Sequence, residues 1–202
     1  MKLQKQVSFL EEHQEYVLCI HNILWVWHDS NKEPEIREKK PKGTYTLENH
    51  LQPEERATLG HTSTAVFVKS FIRHLPNWFY DAVYEDVPLF AYIGGFGLTK
   101  YINEVMAVHR IYHGSLSDQK KTLSFTKNKL RMYKAIDKYY RYQHHDLLKE
   151  KMSHYYQKLL FTYRNQLSTM ELIGALFGEI FNDFSLSNPL LSRIKRKIII
   201  KN

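Results

Sequence analysis

The stretch NWFYDAVYEDVPLFAYIGGFGLTKYINEVMAVHRIY, residues 77–112, sets two patterns end to end. Residues 86–97, DVPLFAYIGGFG, read as a helix with a carboxylate and a proline in its first turn, an apolar body, and glycines that close it. Residues 99–112, TKYINEVMAVHRIY, have the alternation and β-branching of one or two strands. A helix leading directly into a strand marks a mixed α/β domain. Just ahead of the helix, Asp81, Glu85 and Asp86 lie among aromatic and apolar neighbours, with no Lys or Arg closer than Arg73 or Lys100.

Working outward, YVLCIHNILWVW (16–27) and TSTAVFVKS (62–70) read as buried strands, separated by a polar, proline-containing loop or hairpin over 28–46. Residues 2–13 read as a helix with Leu3, Val7 and Leu10 on its inner face. From Asp118 the rhythm becomes helical, and Met152, Tyr155, Tyr156, Leu159, Leu160, Tyr163 and Leu167 recur at spacings of three and four. The expected organisation is an α/β part over residues 1–117 followed by a helical extension over 118–202.

At 202 residues, 43% hydrophobic and 25% charged, the chain has the composition of a folded protein rather than a disordered one. One cysteine, Cys19, excludes an intramolecular disulfide and suits a reducing compartment. The opening residues carry charges throughout, unlike a signal peptide. The longest clearly apolar run, LIGALFGEIF (172–181), is half of the ~20 residues a spanning helix needs. A cytoplasmic protein, soluble or peripheral at the inner face of the membrane, is expected. The net charge of +8 is uneven. Residues 1–117 hold 12 Lys/Arg and 14 Asp/Glu (12 − 14 = −2), while residues 118–202 hold 17 and 7 (17 − 7 = +10). Such a basic part attracts nucleic acid, anionic lipid or acidic substrates.

The carboxylate at the head of residues 86–97 has two readings. As a cap, Asp86 accepts free backbone N–H groups and suits the positive end of the helix dipole, and Pro88 in the first turn agrees with that. As a catalytic base, it accepts a proton from a hydroxyl in a cleft opening in front of it. The local pattern leaves both open.

Three blocks carry a resemblance: KLQKQVSFLEEHQEYVLCIHN (2–22), HTSTAVFVKS (61–70) and LPNWFYDAVYEDVPLFAYIGGFGLTKYINEVMAVHRIYHG (75–114). In sequence, order and spacing they resemble the family 2 glycosyltransferases, above all bacterial members that decorate surface glycans. The resemblance covers about residues 2–117. It implies a GT-A fold, a nucleotide-sugar donor, a glycan or lipid-linked acceptor, and a divalent metal, Mg²⁺ or Mn²⁺. It places Asp86 of EDVPLF as the general base toward the acceptor hydroxyl, with Glu85 assisting by like-charge proximity or facing solvent. Trp78 is then an acceptor platform or a core aromatic, Asp81 a further substrate contact, and Arg110 a partner of the diphosphate. Relatives carry a metal- or diphosphate-binding histidine two residues after the arginine. Here Tyr112 stands in that place and His113, the candidate metal ligand, comes one residue late.

Departures are larger at the front. The chain has no Asp-x-Asp motif, no glycine-rich phosphate loop and no opening parallel strand. The expectation is a truncated GT-A-like acceptor half, inactive alone, with the nucleotide-binding half supplied in trans or lost. The strands around 16–27 and 62–70 would then be left uncovered. Two further classes compete. Lys/Arg and Tyr interleave over residues 127–158 as a nucleic-acid stacking surface would, without an RRM, KH or zinc-finger signature. A non-catalytic binding remnant is the other. The last residues, LLSRIKRKIIIKN (190–202), combine five basic and six aliphatic side chains in a pattern suited to an anionic membrane surface.

Overall fold

A computed structural model of the chain describes residues 1–28, 31–37, 43–51, 59–82, 86–112 and 122–182. The chain divides into two compact units, Met1–Gln119 and Lys120–Asn202. The first is mixed α/β and the second is helical in its described residues.

In the first unit, helix α1 (Lys2–Glu12) precedes the long strand β1 (Tyr16–Trp27). The short strands β2 (Glu35–Ile36) and β3 (Thr44–Tyr45) and helix α2 (Leu47–Leu51) follow. Then come β4 (Val66–Phe67), α3 (Asn77–Tyr80), α4 (Asp86–Gly94) and β5 (Leu98–Ile111). The sheet order is β2-β1-β5-β3, with β4 also paired to β1. β1 and β5 run parallel over most of their length, and the short strands are antiparallel to their partners. Residues 17–23 of β1 are all buried, His21 and Asn22 among them, so burial is continuous rather than alternating, as in a strand covered on both faces.

Helices cover the two faces. Cys19 pairs with Lys100, and the Lys100 ammonium lies 5.1 Å above the Phe9 ring, so that face carries α1. Leu18 and Ile20 point the other way into a core with Tyr45, Phe90, Ile93 and Tyr101, contributed by β3, α4 and β5. Seven of the nine residues of α4 are buried, which is why it is apolar nearly all round. Its end is tight: a Cβ on Gly97 would lie 2.7 Å from the Glu15 carbonyl oxygen.

Several expectations need correction. Helix α1 does not bury Leu3 and Val7, which are 62% and 39% exposed. It buries Gln6 and Leu10, because the Gln6 amide donates to the carbonyls of Cys19 (2.9 Å) and Thr64 (2.8 Å) and fixes which side faces the sheet. Residues 62–70 are not one buried strand. Only Val66 and Phe67 pair, between 3-10 turns at Thr62–Thr64 and Lys69–Ile72, since the Thr64 hydroxyl and its amide both bond back to the His61 carbonyl. Nor is β1 left uncovered: β5 lies along one edge, and β2 and β4 share the other.

The second unit holds α5 (Leu123–Tyr139), α6 (His145–Gln157) and α7 (Thr169–Asn182). The Thr122 hydroxyl accepts the Phe125 N–H at 3.1 Å and caps α5. A π-type turn, Lys158–Thr162, ends α6. Ile136, Leu148, Met152, Tyr156, Leu159 and Tyr163 form the apolar interior of this unit. No described helix is long and apolar enough to cross a membrane.

Candidate functional site

Asp86 opens α4 and is half-buried, and its Oδ1 accepts the N–H of Val87 at 2.8 Å. The course of the helix follows from two close approaches. Phe90 and Ile20 flank Gly60 together, while Gly97 abuts Glu15 and Val17. From residue 90 to 97 the chain thus travels back along β1, so α4 runs against the strand. Asp86, one turn before Phe90, is directed toward the C-terminal half of the parallel pair β1–β5. In α/β sheets that end of the strands is where ligands collect.

Arg110 lies opposite Val26 and is exposed, and His109 lies opposite Trp25. The register shifts between His21 and Ile23 are absorbed by extra residues in β5, so β1 keeps its alternation. Val26 therefore shares the face of Ile20, and Arg110 stands on the α4 side of the sheet with Asp86. His109 is on the α1 side, its ring 4.7 Å from that of His61. The structure thus places Asp86 and Arg110 on one face, and the histidine pair on the other.

Trp78 in α3 is half-buried and packs against the apolar core. Asp81 follows α3 and is exposed. Tyr80, between them, is 72% exposed. Of the three aromatics before the acidic cluster it offers the most open ring to an acceptor, a distinction that exposure makes and the sequence NWFY does not. Glu85, His113 and the basic tail 190–202 lie outside the described residues.

Two histidines of this unit are buried. His50 donates or accepts through Nε2 to the Thr99 hydroxyl at 2.8 Å, and burial pushes it down to about 4. His21 is lowered by burial, against a bond from Nδ1 to the Asn22 carbonyl and with Lys2 acting in the same direction as burial. Both are neutral parts of the interior. Among the described residues no group of three or more His, Cys, Asp or Glu side chains could hold a metal ion.

The interleaved Lys and Tyr of residues 127–158 pair with one another. Tyr133 and Tyr155 stack at 5.8 Å, and Lys134, Lys151 and Lys158 lie 4.9, 6.0 and 5.7 Å above Tyr156, Tyr133 and Tyr155. Tyr133 and Tyr156 are buried, which leaves Tyr139 and Tyr142 as the exposed rings. Comparison with protein-family models, with curated proteins and with solved structures finds no match to this chain.

Proposed function

We propose that Met1–Gln119 is the acceptor side of a family 2 glycosyltransferase, a GT-A-like α/β sandwich in which Asp86 is the general base. What carries the reading is the carboxylate at the head of the buried helix α4, on the same sheet face as the Arg110 guanidinium, toward the C-terminal ends of two parallel strands. The Asp86 carboxylate accepts the proton of an acceptor hydroxyl from within ~2.6–3.2 Å. The hydroxyl oxygen then bonds to the anomeric carbon as that carbon's bond to the diphosphate oxygen breaks. The diphosphate leaves with the bonding pair, and Arg110, whose fork matches phosphate oxygens, faces it. Tyr80 offers its ring to the acceptor's C–H face. The described residues do not furnish a metal site, so no step is assigned to Mg²⁺ or Mn²⁺.

Two measurements test this. By calorimetry the chain alone should show no micromolar, Mn²⁺-dependent binding of UDP- or GDP-sugars. Fused to a nucleotide-sugar-binding half, it should transfer sugar, and Asp86→Asn should lower turnover at least ~10²-fold with an unchanged melt. Turnover near that of the unsubstituted fusion removes Asp86 from the reaction.

A further inference from the structure

Residues 122–182 hold ten Lys/Arg and five Asp/Glu, and four of those five carboxylates are already engaged. Asp137 meets His145, Asp146 meets Lys149, Glu171 meets Lys127 and Ser168, and Glu179 accepts from Ser153 and Gln157. The fifth, Glu150, is the sequence neighbour of Lys151. On α6, Lys151, His154 and Lys158 recur at spacings of three and four, and Lys158 keeps helical dihedrals. The three therefore share one face, within ~10 Å along the axis at 1.5 Å per residue.

A stacked tyrosine pair gathers them. Tyr133 of α5 and Tyr155 of α6 lie 5.8 Å apart. Lys151 Nζ is 6.0 Å from the Tyr133 ring, Lys158 Nζ 5.7 Å from the Tyr155 ring, and the His154 ring 5.2 Å from Tyr155, edge on. Lys151 and Lys158 are half-buried and His154 is exposed. Among the described residues, none of the three side chains forms an ion pair or a hydrogen bond. Helix α5 adds no counter-charge: the charged residues around Tyr133 are Lys129, Arg131 and Lys134, and the one carboxylate of α5, Asp137, is held by His145. Burial first, then the charges of Lys158 and Lys151, lower the His154 imidazole, and burial lowers the Lys151 ammonium against the charge of Glu150.

Repelling cations with unused N–H donors are completed by an oxyanion carrying more than one charge. The extent of the cluster limits its size. Duplex nucleic acid carries a charge every ~1.7 Å of its axis and is held through many phosphates, whereas this face offers three cations over two turns. The rings that could stack on bases already have the ammoniums above them. We propose that Lys151, His154 and Lys158 bind a soluble ligand bearing a diphosphate or two neighbouring phosphate groups, the ammoniums donating to its oxygens and His154 joining as imidazolium. The site lies in Lys120–Asn202 and is independent of the transferase reading of Met1–Gln119. A bound anion offsets the two ammoniums, so it raises His154 and takes up a proton. The His154 contribution is then fully present below the free-state value and lost as pH rises through the bound-state one.

The test is calorimetric titration of the full chain with inorganic pyrophosphate at low salt, at pH ~6 and pH ~8. Lys151→Gln with Lys158→Gln should weaken binding at least ~tenfold, while Lys138→Gln with Arg141→Gln, an equal charge loss at exposed positions outside the cluster, should leave it near the parent's. His154→Gln should weaken binding at pH ~6 and leave it unchanged at pH ~8; the titration of pyrophosphate itself cancels in that comparison. Circular dichroism checks that each variant keeps its helices. The proposal is overturned if pyrophosphate does not bind, if both double variants lose affinity equally, or if the Lys151/Lys158 variant binds like the parent. It is equally overturned if His154→Gln acts alike at both pH values. Binding of a short DNA duplex or of phosphatidylglycerol vesicles that the Lys151/Lys158 substitutions abolish, with pyrophosphate unbound, would also overturn it and assign the face to a macromolecular polyanion.

Discussion

Gly174 and Gly178 sit one turn apart on α7, and the structure assigns opposite signs to the same substitution at the two. A Cβ on Gly174 meets nothing within 4 Å. Gly174→Ala should therefore gain the helix preference of alanine, about 1 kcal/mol. A Cβ on Gly178 would lie 2.5 Å from both Cζ and Oη of Tyr156. That ring is 4% exposed and has the Lys134 ammonium 4.9 Å above it, so it has no open space to enter. Overpacking of this kind costs about 1–3 kcal/mol, and the severity of the approach places it at the upper end. After the gain in propensity, Gly178→Ala should lose about 2 kcal/mol, so the two variants should differ by about 3 kcal/mol.

The assay can resolve the units. Trp25, Trp27 and Trp78 all belong to Met1–Gln119. Tryptophan emission in urea therefore follows that unit, while loss of far-UV circular dichroism at 222 nm weights the helices of the other. Gly174→Ala should raise the midpoint of the helical transition and Gly178→Ala should lower it. Equal stabilisation by the two alanines would refute the packing of Gly178 on Tyr156, and with it the orientation of α7.

Two other outcomes are expected. Burial pushes the His145 imidazole down, but the hydrogen bond to the Asp137 carboxylate (2.7 Å), the one to the Asn182 carbonyl (3.1 Å) and the charges of Asp137 and Asp146 raise it above its ordinary 6.5. A raised value means stability fully present below pH ~6.5 and lost as pH rises through the higher folded-state value. His145→Gln should remove that loss, and the difference from the parent separates it from His154, which burial shifts the opposite way. A parent and variant with parallel pH profiles would refute it. Cys19 is buried and its thiol is pushed up to about 11, chiefly by burial, so a thiol reagent at pH 8 should label it only once urea unfolds the first unit. Rapid native labelling would contradict this.

The long elements were legible because their patterns admit one reading. Residues 16–27 are rich in apolar, aromatic and β-branched side chains, interrupted only by His21 and Asn22, and they form the central strand. Residues 86–94 are apolar on every side and form a buried helix. Where a single polar side chain outweighs periodicity, the sequence misleads. Leu3 and Val7 match the spacing of an inner face, but two hydrogen bonds from Gln6 turn α1 so that both are exposed. TSTAVFVKS has strand composition, yet the hydroxyl and amide of Thr64 close a turn on His61, leaving two residues to pair. At the site, the chain order of Asp86 and Arg110 says nothing about faces. Only the register Val26↔Arg110 and the direction of α4 bring them to one side.

The same competition explains α7. Read as a pattern, LIGALFGEIF offers far more apolar area on the stripe of Ile173, Phe177 and Phe181 than on that of Ala175 and Glu179. Periodicity alone would bury the phenylalanines. Burying Glu179 instead requires partners for its carboxylate, and Ser153 and Gln157 on α6 supply them, while glycine at 178 lets the Tyr156 ring lie against the α7 backbone. Phe177 and Phe181, 54% and 61% exposed, forgo about half of the ~1.5–3 kcal/mol that full burial of such a side chain gains. In α7 as in α1, the hydrogen bonds of one buried polar side chain, Glu179 or Gln6, outweigh apolar area in deciding which side turns inward.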